Sequence, residues 1–350
     1  MLKEDPQIAI LVSCFNQREF LDDCLRSLRA QRYPRYRTYL LDSGSTDGST
    51  AYATHNFPEC VVVAFGENLG FAVANNRGLQ RAFEDGADLC LLLNSDTCSE
   101  PSLLAELVAS YQAQARAQVP VGLVQATVLL FGQRERVNTA GNALHYLGYG
   151  FCKDHLKPHV PGGGDRAILS ASGAAMLVAR DYFERVGGFD DEFFVYNEDQ
   201  NLSWRGLLLG YRHFTSAGAV VYHKYTFREH AFKMYHSEKN RVTMLLQNYS
   251  VRTLCVLAPM LALNELLLIG HAALNHWLGA KLRSYWYVAK RLGPILRRRR
   301  EIQRTRVVAD KALFPMMDAE LSFDAYAGFA VRQVISPLMK HYHRLAAKAV

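Results

Sequence analysis

The chain has 350 residues, 49% of them apolar and 21% charged, enough apolar content for a sizeable packed core, which excludes general disorder and collagen-like repeats. At roughly 100–200 residues per domain, it holds one large domain with an appendage or two modest domains. The formal charge of +7 is localised: residues 281–306 carry ten Lys/Arg against Glu301 alone, a net of +9 that leaves −2 on the other 324 residues. The chain is a near-neutral globular protein with one basic segment. Its seven cysteines form no C-x-x-C pair, so neither a disulfide framework nor a structural zinc site is expected. The polar opening, Met1-Leu-Lys-Glu-Asp-Pro-Gln7, runs straight into a strand-like stretch and does not read as a signal peptide. The expected location is the cytoplasm, peripheral on the cytosolic face of the cell membrane.

In chain order, residues 8–12 read as a buried strand, and residues 18–31 place Phe20, Leu21, Cys24, Leu25 and Leu28 at helical spacing. A second strand over 36–41 ends at Asp42-Ser-Gly-Ser-Thr-Asp-Gly-Ser49, loop chemistry followed by helix-capping residues. Strand 61–65, helix 71–83, strand 89–93, helix 102–117 and strand 121–127 follow. Alternation of this kind means βαβ units around a mostly parallel sheet. Ligands of such sheets bind beyond the carboxyl ends of the strands, where Ser13, Asp42 and Asn94 stand. After residue 128 the pattern becomes irregular and Gly-rich. Regularity returns over 169–179, with helices at 182–186 and 201–209, the acidic loop 190–199 and a strand over 219–222.

Each chemistry-bearing residue has a competing structural role. Asp96, just past a buried apolar strand, suits a divalent cation held on a diphosphate, because Mg²⁺ and Mn²⁺ take oxygen ligands; it equally suits the cap of the next helix. Glu198-Asp199, walled by the aromatic run at 193–196, has the setting of a general base or of an ordinary helix start. His223 ends an apolar strand as a ligand or as a satisfied structural residue. Gly44, Gly48 and Gly70 are turn glycines by default and complete neither G-x-G-x-x-G nor G-x-x-x-x-G-K-[ST], which weighs against dinucleotide and P-loop readings.

The succession of motifs decides between these roles. Val12-Ser-Cys-Phe-Asn16, the Asp42–Ser49 run, Asn68-Leu-Gly-Phe-Ala-Val-Ala-Asn-Asn76, Leu92-Leu-Asn-Ser-Asp-Thr97, Ser172-Gly-Ala-Ala-Met-Leu, Gly187-Gly-Phe-Asp-Asp-Glu-Phe-Phe and Asn197-Glu-Asp-Gln-Asn-Leu-Ser-Trp-Arg205 together resemble a family 2 glycosyltransferase of the GT-A fold. The asparagine-rich third motif is similar to the rhamnosyltransferase-like branch, and the resemblance covers roughly residues 7–225. It implies an α/β nucleotide-diphospho-sugar transferase domain over 1–240 with a helical, apolar and basic extension over 241–350. It also implies that Ser13, Asn16, Asp42 and Ser45 line the nucleotide pocket, with Asp42 accepting from the base. Asn76 and the Gly70 turn would follow the nucleotide and diphosphate. Asn94-Ser95-Asp96 stands where the family has its metal-binding Asp-x-Asp. With Asn94 neutral, Asp96 would hold Mg²⁺ or Mn²⁺, His223 being the further ligand. Glu198-Asp199 matches the family's Glu-Asp pair, with Asp199 the base and Glu198 in reserve. The implied reaction is inverting transfer from a dTDP- or UDP-sugar to an acceptor hydroxyl. Residues 226–241 would fold over the diphosphate as a lid, or simply connect.

Residues 254–274 are apolar but interrupted by Pro259, Asn264, Glu265 and His271, and an acid in mid-span is costly in a bilayer. At about 100° per residue, Asn264, His271 and Asn275 fall on one narrow stripe, as in an interfacial or packed helix. With Tyr285-Trp-Tyr287 and Arg297–Arg300 following, an anionic membrane surface is the expected partner, the alternatives being a transmembrane or re-entrant helix and a helical homodimer or core element. Nucleic acid is not expected, since no recognition fold accompanies the basic patch. The membrane-seeking tail suggests a glycan acceptor on a polyprenyl-type lipid, in cell-surface polysaccharide assembly. Three rivals stand beside this reading: a UDP-hexose or UDP-N-acetylhexosamine donor, a sugar-nucleotide pyrophosphorylase, and a non-catalytic sugar-nucleotide or membrane-glycan binding protein. The pyrophosphorylase wants a Gly-rich basic loop that Ser13-Cys-Phe-Asn16 does not supply.

Overall fold

The computed structural model describes residues 4–224, 230–321 and 331–350. The chain divides into two compact units, the first made of Met1–Asn142, Cys152–Gly206 and Tyr211–Thr226, the second of Ala143–Phe151, Leu207–Gly210 and Phe227–Val350.

The first unit is built on β1 (Ile8–Cys14), α1 (Arg18–Arg29), β2 (Tyr36–Asp42), α2 (Ser49–Asn56), β3 (Val61–Ala64), α3 (Gly70–Glu84), β4 (Leu89–Asn94), β5 (Thr97–Ser99) and α4 (Leu103–Arg116). It continues through β6 (Val121–Leu130), β7 (Gln133–Thr139), β8 (Arg166–Ile168), β9 (Ala175–Ala179), α5 (Arg180–Val186), α6 (Glu198–Leu208) and β10 (Arg212–His223). These strands form one sheet in the order β3-β2-β1-β4-β9-β6-β10-β5, with β7 on β6 and β8 on β10. Pairing is parallel from β3 to β4 and between β6 and β10; β9 enters antiparallel between β4 and β6. The continuous apolar runs of β1, β4 and β9 are buried throughout because helices cover both faces of such a sheet. Helix α1 forms because Leu21, Cys24, Leu25 and Leu28 repeat at three and four residues and bury one stripe. Register brings the strand ends together: Cys14 pairs with Asp42, and Ser13 with Asn94.

The second unit is helical: α7 (Ala231–Asn248), α8 (Val251–Leu274), α9 (Leu278–Lys290), α10 (Leu292–Thr305), α11 (Asp310–Leu313) and α12 (Ser336–Ala346). The domain boundary expected at residue 240 falls inside α7, a single helix whose buried residues begin at His236 and run to Asn248, so the second unit takes the chain from Phe227. Residues 143–151 and 207–210 also join it, which no linear boundary can express. The start of the expected lid lies outside the described residues; from Ala231 its remainder is the first half of α7.

Packing decides two features of this unit. The polar stripe of α8 turns inward at its centre: Asn264 is buried and accepts a 2.8 Å hydrogen bond from Tyr149. Glu265 pairs with Arg241, with Lys281 (2.7 Å) and with the Tyr285 hydroxyl (2.5 Å), and Glu238 closes the network with the same two cations. The basic segment is also partly structural. Lys281 is fully buried, Arg299 donates to the Leu246 carbonyl at the end of α7, and Arg306 binds Asp310 (2.5 Å). Helix ends leave unpaired carbonyls, and α10 satisfies those of α7, Gln303 donating to Gln247 and Asn248.

Candidate active site

The nucleotide side of the site is a set of loops tied by their own polar groups. Asp42 is buried at the end of β2; Oδ2 accepts from the Ser45 N–H (3.1 Å), while Oδ1 has no partner. A buried carboxylate oxygen without a donor is costly, so Oδ1 suits a ligand N–H. Ser45 Oγ accepts from the Asn16 N–H (2.8 Å), and Asn16 Oδ1 accepts from Thr46 N (2.8 Å). Asn16 sits at φ +52°, a left-handed conformation that asparagine tolerates. Asp47 anchors the other side, receiving the Arg18 and Ser49 N–H groups. Ser13 exchanges hydrogen bonds with Asn75, which is wholly buried on α3.

Two residues expected along the diphosphate have other work. The Asn76 carboxamide donates to Phe189 O and Asp191 Oδ1 and accepts from the Phe189 N–H, so its amide is consumed in clamping the 187–191 loop. Gly70, at φ +70°, lies under Phe194: a Cβ there would stand 2.6 Å from the Phe194 carbonyl. The glycine is required by that backbone approach. Phe194, Tyr196 and Asn197 all adopt positive φ (40°, 68° and 62°), unusual for residues with side chains and characteristic of loops held at functional sites.

That strained loop delivers Glu198 and Asp199 to the first turn of α6. Asp199 Oδ2 accepts from the Gly173 N–H (2.9 Å) and Oδ1 from the Gln200 N–H (2.7 Å). The following residue, Ala174, gives its carbonyl to the Asn94 N–H (3.1 Å). One loop therefore joins the Asp199 carboxylate to the turn carrying Asn94, Ser95 and Asp96. Burial pushes the Asp199 carboxyl up from the ordinary range, and its two N–H donors pull the other way. Glu198 is more deeply buried, Oε2 has no partner, and burial together with the Asp199 charge holds its carboxyl well above the ordinary value. The Asp199 charge opposes ionisation of Glu198, while the Gly173 and Gln200 N–H groups favour the charged form of Asp199.

At the far side of the Asn94–Asp96 turn, Asp96 Oδ1 lies 3.1 Å from His223 Nε2. His223 Nδ1 faces Asn138 Oδ1 at 3.0 Å; because that oxygen only accepts, Nδ1 is the protonated nitrogen. With Nδ1 so engaged, Nε2 is the ring nitrogen turned to Asp96. Ser95 is buried and donates to Gln17 Oε1. The Asn94 carboxamide makes no hydrogen bond among the described residues.

Residues 9–164 match the family model described as "Glycosyl transferase family 2". Residues 9–164, most of the first unit, carry the sequence of glycosyltransferase family 2. Among curated relatives, an O-antigen biosynthesis protein of Myxococcus xanthus is 29% identical over 209 residues, covering 57% of this chain and 16% of that protein. An N-acetylglucosaminyl-diphospho-decaprenol L-rhamnosyltransferase of Mycobacterium tuberculosis is 27% identical over 206 residues, covering 53% of this chain and 66% of that protein. The chain thus spans a sixth and just under two thirds of these relatives' lengths. Among solved structures, the crystal structure of GalNAc-T7 with UDP, GalNAc and Mn²⁺ superposes with a TM-score of 0.58 at 13% identity, over 73% of this chain and 51% of that one. The fold of the glycosyltransferase unit is GT-A.

The donor set of this glycosyltransferase unit fits a divalent cation of the Mg²⁺/Mn²⁺ class. Asp96 Oδ1 and His223 Nε2 are 3.1 Å apart, close enough to reach one ion, and the carboxylate oxygen is the ligand type these ions prefer. Two protein ligands leave the remaining positions to water and phosphate oxygens. Sequence reading missed Asn138, because it lies in the irregular stretch after residue 128, and missed the part played by Gly173, whose Ser172-Gly motif was visible without its partner.

Proposed function

We propose that the chain is an inverting, metal-assisted glycosyltransferase that moves a sugar from a nucleotide-diphosphate donor to a hydroxyl of a lipid-linked glycan. Rhamnose is the first candidate for the sugar, supported by the asparagine-rich third motif and by the similarity to the mycobacterial enzyme. The carrying observation is the single loop that links Asp199, through Gly173 and Ala174, to the Asn94–Asp96 turn. Adjacent residues of one loop thus fix the base relative to the turn that carries the diphosphate-side carboxylate, which supports this reading.

Asp42 Oδ1 accepts the N–H of the base, and Ser45 and Asn16 shape the pocket around it. Asp199 takes the acceptor hydroxyl's proton as oxygen attacks the anomeric carbon opposite the diphosphate. Burial and the Asp199 charge disfavour ionisation of Glu198, and the Gly173 and Gln200 N–H groups favour the charged form of Asp199 that a base needs. Asp96 and His223 would hold Mg²⁺ or Mn²⁺, which when bound offsets charge on the departing diphosphate. The reaction would occur on the cytosolic side of the membrane, where a polyprenyl-linked acceptor is reached from a peripherally attached enzyme.

A screen of dTDP- and UDP-sugars, read as nucleotide diphosphate release, tests the reaction class and names the donor. Asp199→Asn should lower transfer by about 10²–10⁴-fold while calorimetric donor affinity stays within twofold. Substantial residual turnover in that variant would move the base to Glu198 or elsewhere.

A further inference from the structure

Helix α8 is inverted with respect to a soluble helix. Its polar side faces the rest of the second unit: Thr253 donates to Asp310 (2.6 Å), Asn264 meets Tyr149, and Glu265 meets Arg241 and Lys281. Its outward side carries Val251, Leu263, Leu266, Leu267 and Leu274, which are 66%, 37%, 68%, 40% and 81% exposed, with Cys255 among them. At about 100° per residue these positions sweep roughly half the circumference, along a helix about 36 Å long at 1.5 Å per residue. Arg252 is the sole charged residue exposed on α8. An exposed apolar face of this extent marks an interaction surface.

We infer that this face is a membrane-docking surface, on which α8 lies in the plane of an anionic bilayer. The inference deepens the membrane-side placement proposed above and does not rest on the catalytic site. The same helix is long and apolar enough to span, but spanning would carry Glu265, Arg241, Lys281 and Asp310, which bind its inner side, to bilayer depth. Lying flat keeps them within the protein and sinks only the leucine face, the habit of interfacial helices. Charge selects lipid over a second copy. Arg283, Lys290, Arg297, Arg300 and Arg304 are exposed on α9 and α10 with Glu301 the one acid among them, so a facing copy brings like charge while anionic headgroups bring the complement.

Flotation of the full chain with phosphatidylglycerol/phosphatidylcholine vesicles tests this directly. Cys255 is exposed while the other six cysteines are buried or half-buried, so an environment-sensitive dye placed there reports on this face. Wild type should float, with dye emission shifting to the blue. Leu263→Ser/Leu266→Ser/Leu267→Ser should lower the partition coefficient at least tenfold, and Arg297→Gln/Arg300→Gln/Arg304→Gln should do so on anionic vesicles alone. Circular dichroism confirms that these exposed substitutions leave the fold intact. Wild type remaining in the aqueous fraction, an unshifted dye, or a leucine variant that floats like wild type overturns the inference. A concentration-dependent dimer abolished by the leucine variant also overturns it and assigns the face to a second copy. Nucleotide release on a soluble acceptor separates the two readings: the leucine variant retains it, whereas a chain that floats and releases nucleotide from no donor refutes only the catalytic proposal.

Discussion

Replacing Glu265 with Gln removes one charge from a buried network of two carboxylates and two cations. The Arg241 and Lys281 charges and the Tyr285 hydroxyl hold the Glu265 carboxyl down at about 2, against an ordinary 4.5, in spite of the opposing pull of burial. At 1.36 kcal/mol per pH unit that depression corresponds to about 3 kcal/mol. This is an upper figure, because the side chain is 24% exposed and water screens part of the attraction. The remaining partners become worse matched, since Glu238 alone then faces both cations, and unbalancing a buried pair typically costs about 3–5 kcal/mol. Urea unfolding of the full chain at pH 7 should therefore show Glu265→Gln less stable by about 2–3 kcal/mol. The sign of the pH dependence follows from the depressed pKa. The stabilisation is complete above pH 4.5 and is lost as pH falls toward about 2. The gap between wild type and variant should accordingly narrow by about 1.4 kcal/mol for each pH unit below 4.5. A variant within about 0.5 kcal/mol of wild type at pH 7, or a gap that is the same at pH 3 and pH 7, would refute the reasoning.

Other outcomes follow from the catalytic unit. Asn138→Leu removes the acceptor that fixes the His223 ring, and Mn²⁺ affinity measured by electron paramagnetic resonance should fall about 10–100-fold, with nucleotide affinity in the absence of metal unchanged. Gly70→Ala carries the cost of a left-handed alanine, about 1–2 kcal/mol, and forces Phe194 to move. Because Phe194 precedes Glu198-Asp199, kcat should drop at least tenfold while donor Kd stays within twofold; an unchanged kcat would show that the loop's strained path does not matter to the base.

The strand–helix alternation, the three polar strand ends and the seven ordered motifs were legible because each is local. A buried parallel strand must be apolar along its length, and the residue after it must form a turn. The GT-A fold could be reached from such patterns, and Asp42, Asp96 and Asp199 could be named from them as candidate site residues. Asn76 shows where pattern reading stops. Its place in a motif announces importance, but only the folded chain shows its amide engaged by Phe189 and Asp191. Asn138 carried no signal, since its partner His223 is 85 residues away and across a strand pairing.

The basic charge has the same double character. Composition alone located it in 26 residues beyond the catalytic unit and set it beside the most apolar segment. Tertiary structure decided how much of it faces outward: Lys281, Arg299 and Arg306 are drawn in by Glu238, by the end of α7 and by Asp310. It also decided which way α8 turns. A helical stripe of polar residues is equally consistent with facing water or facing in. Arg241 and Lys281, buried and needing carboxylates, settle the rotation of the helix and leave its leucines outside.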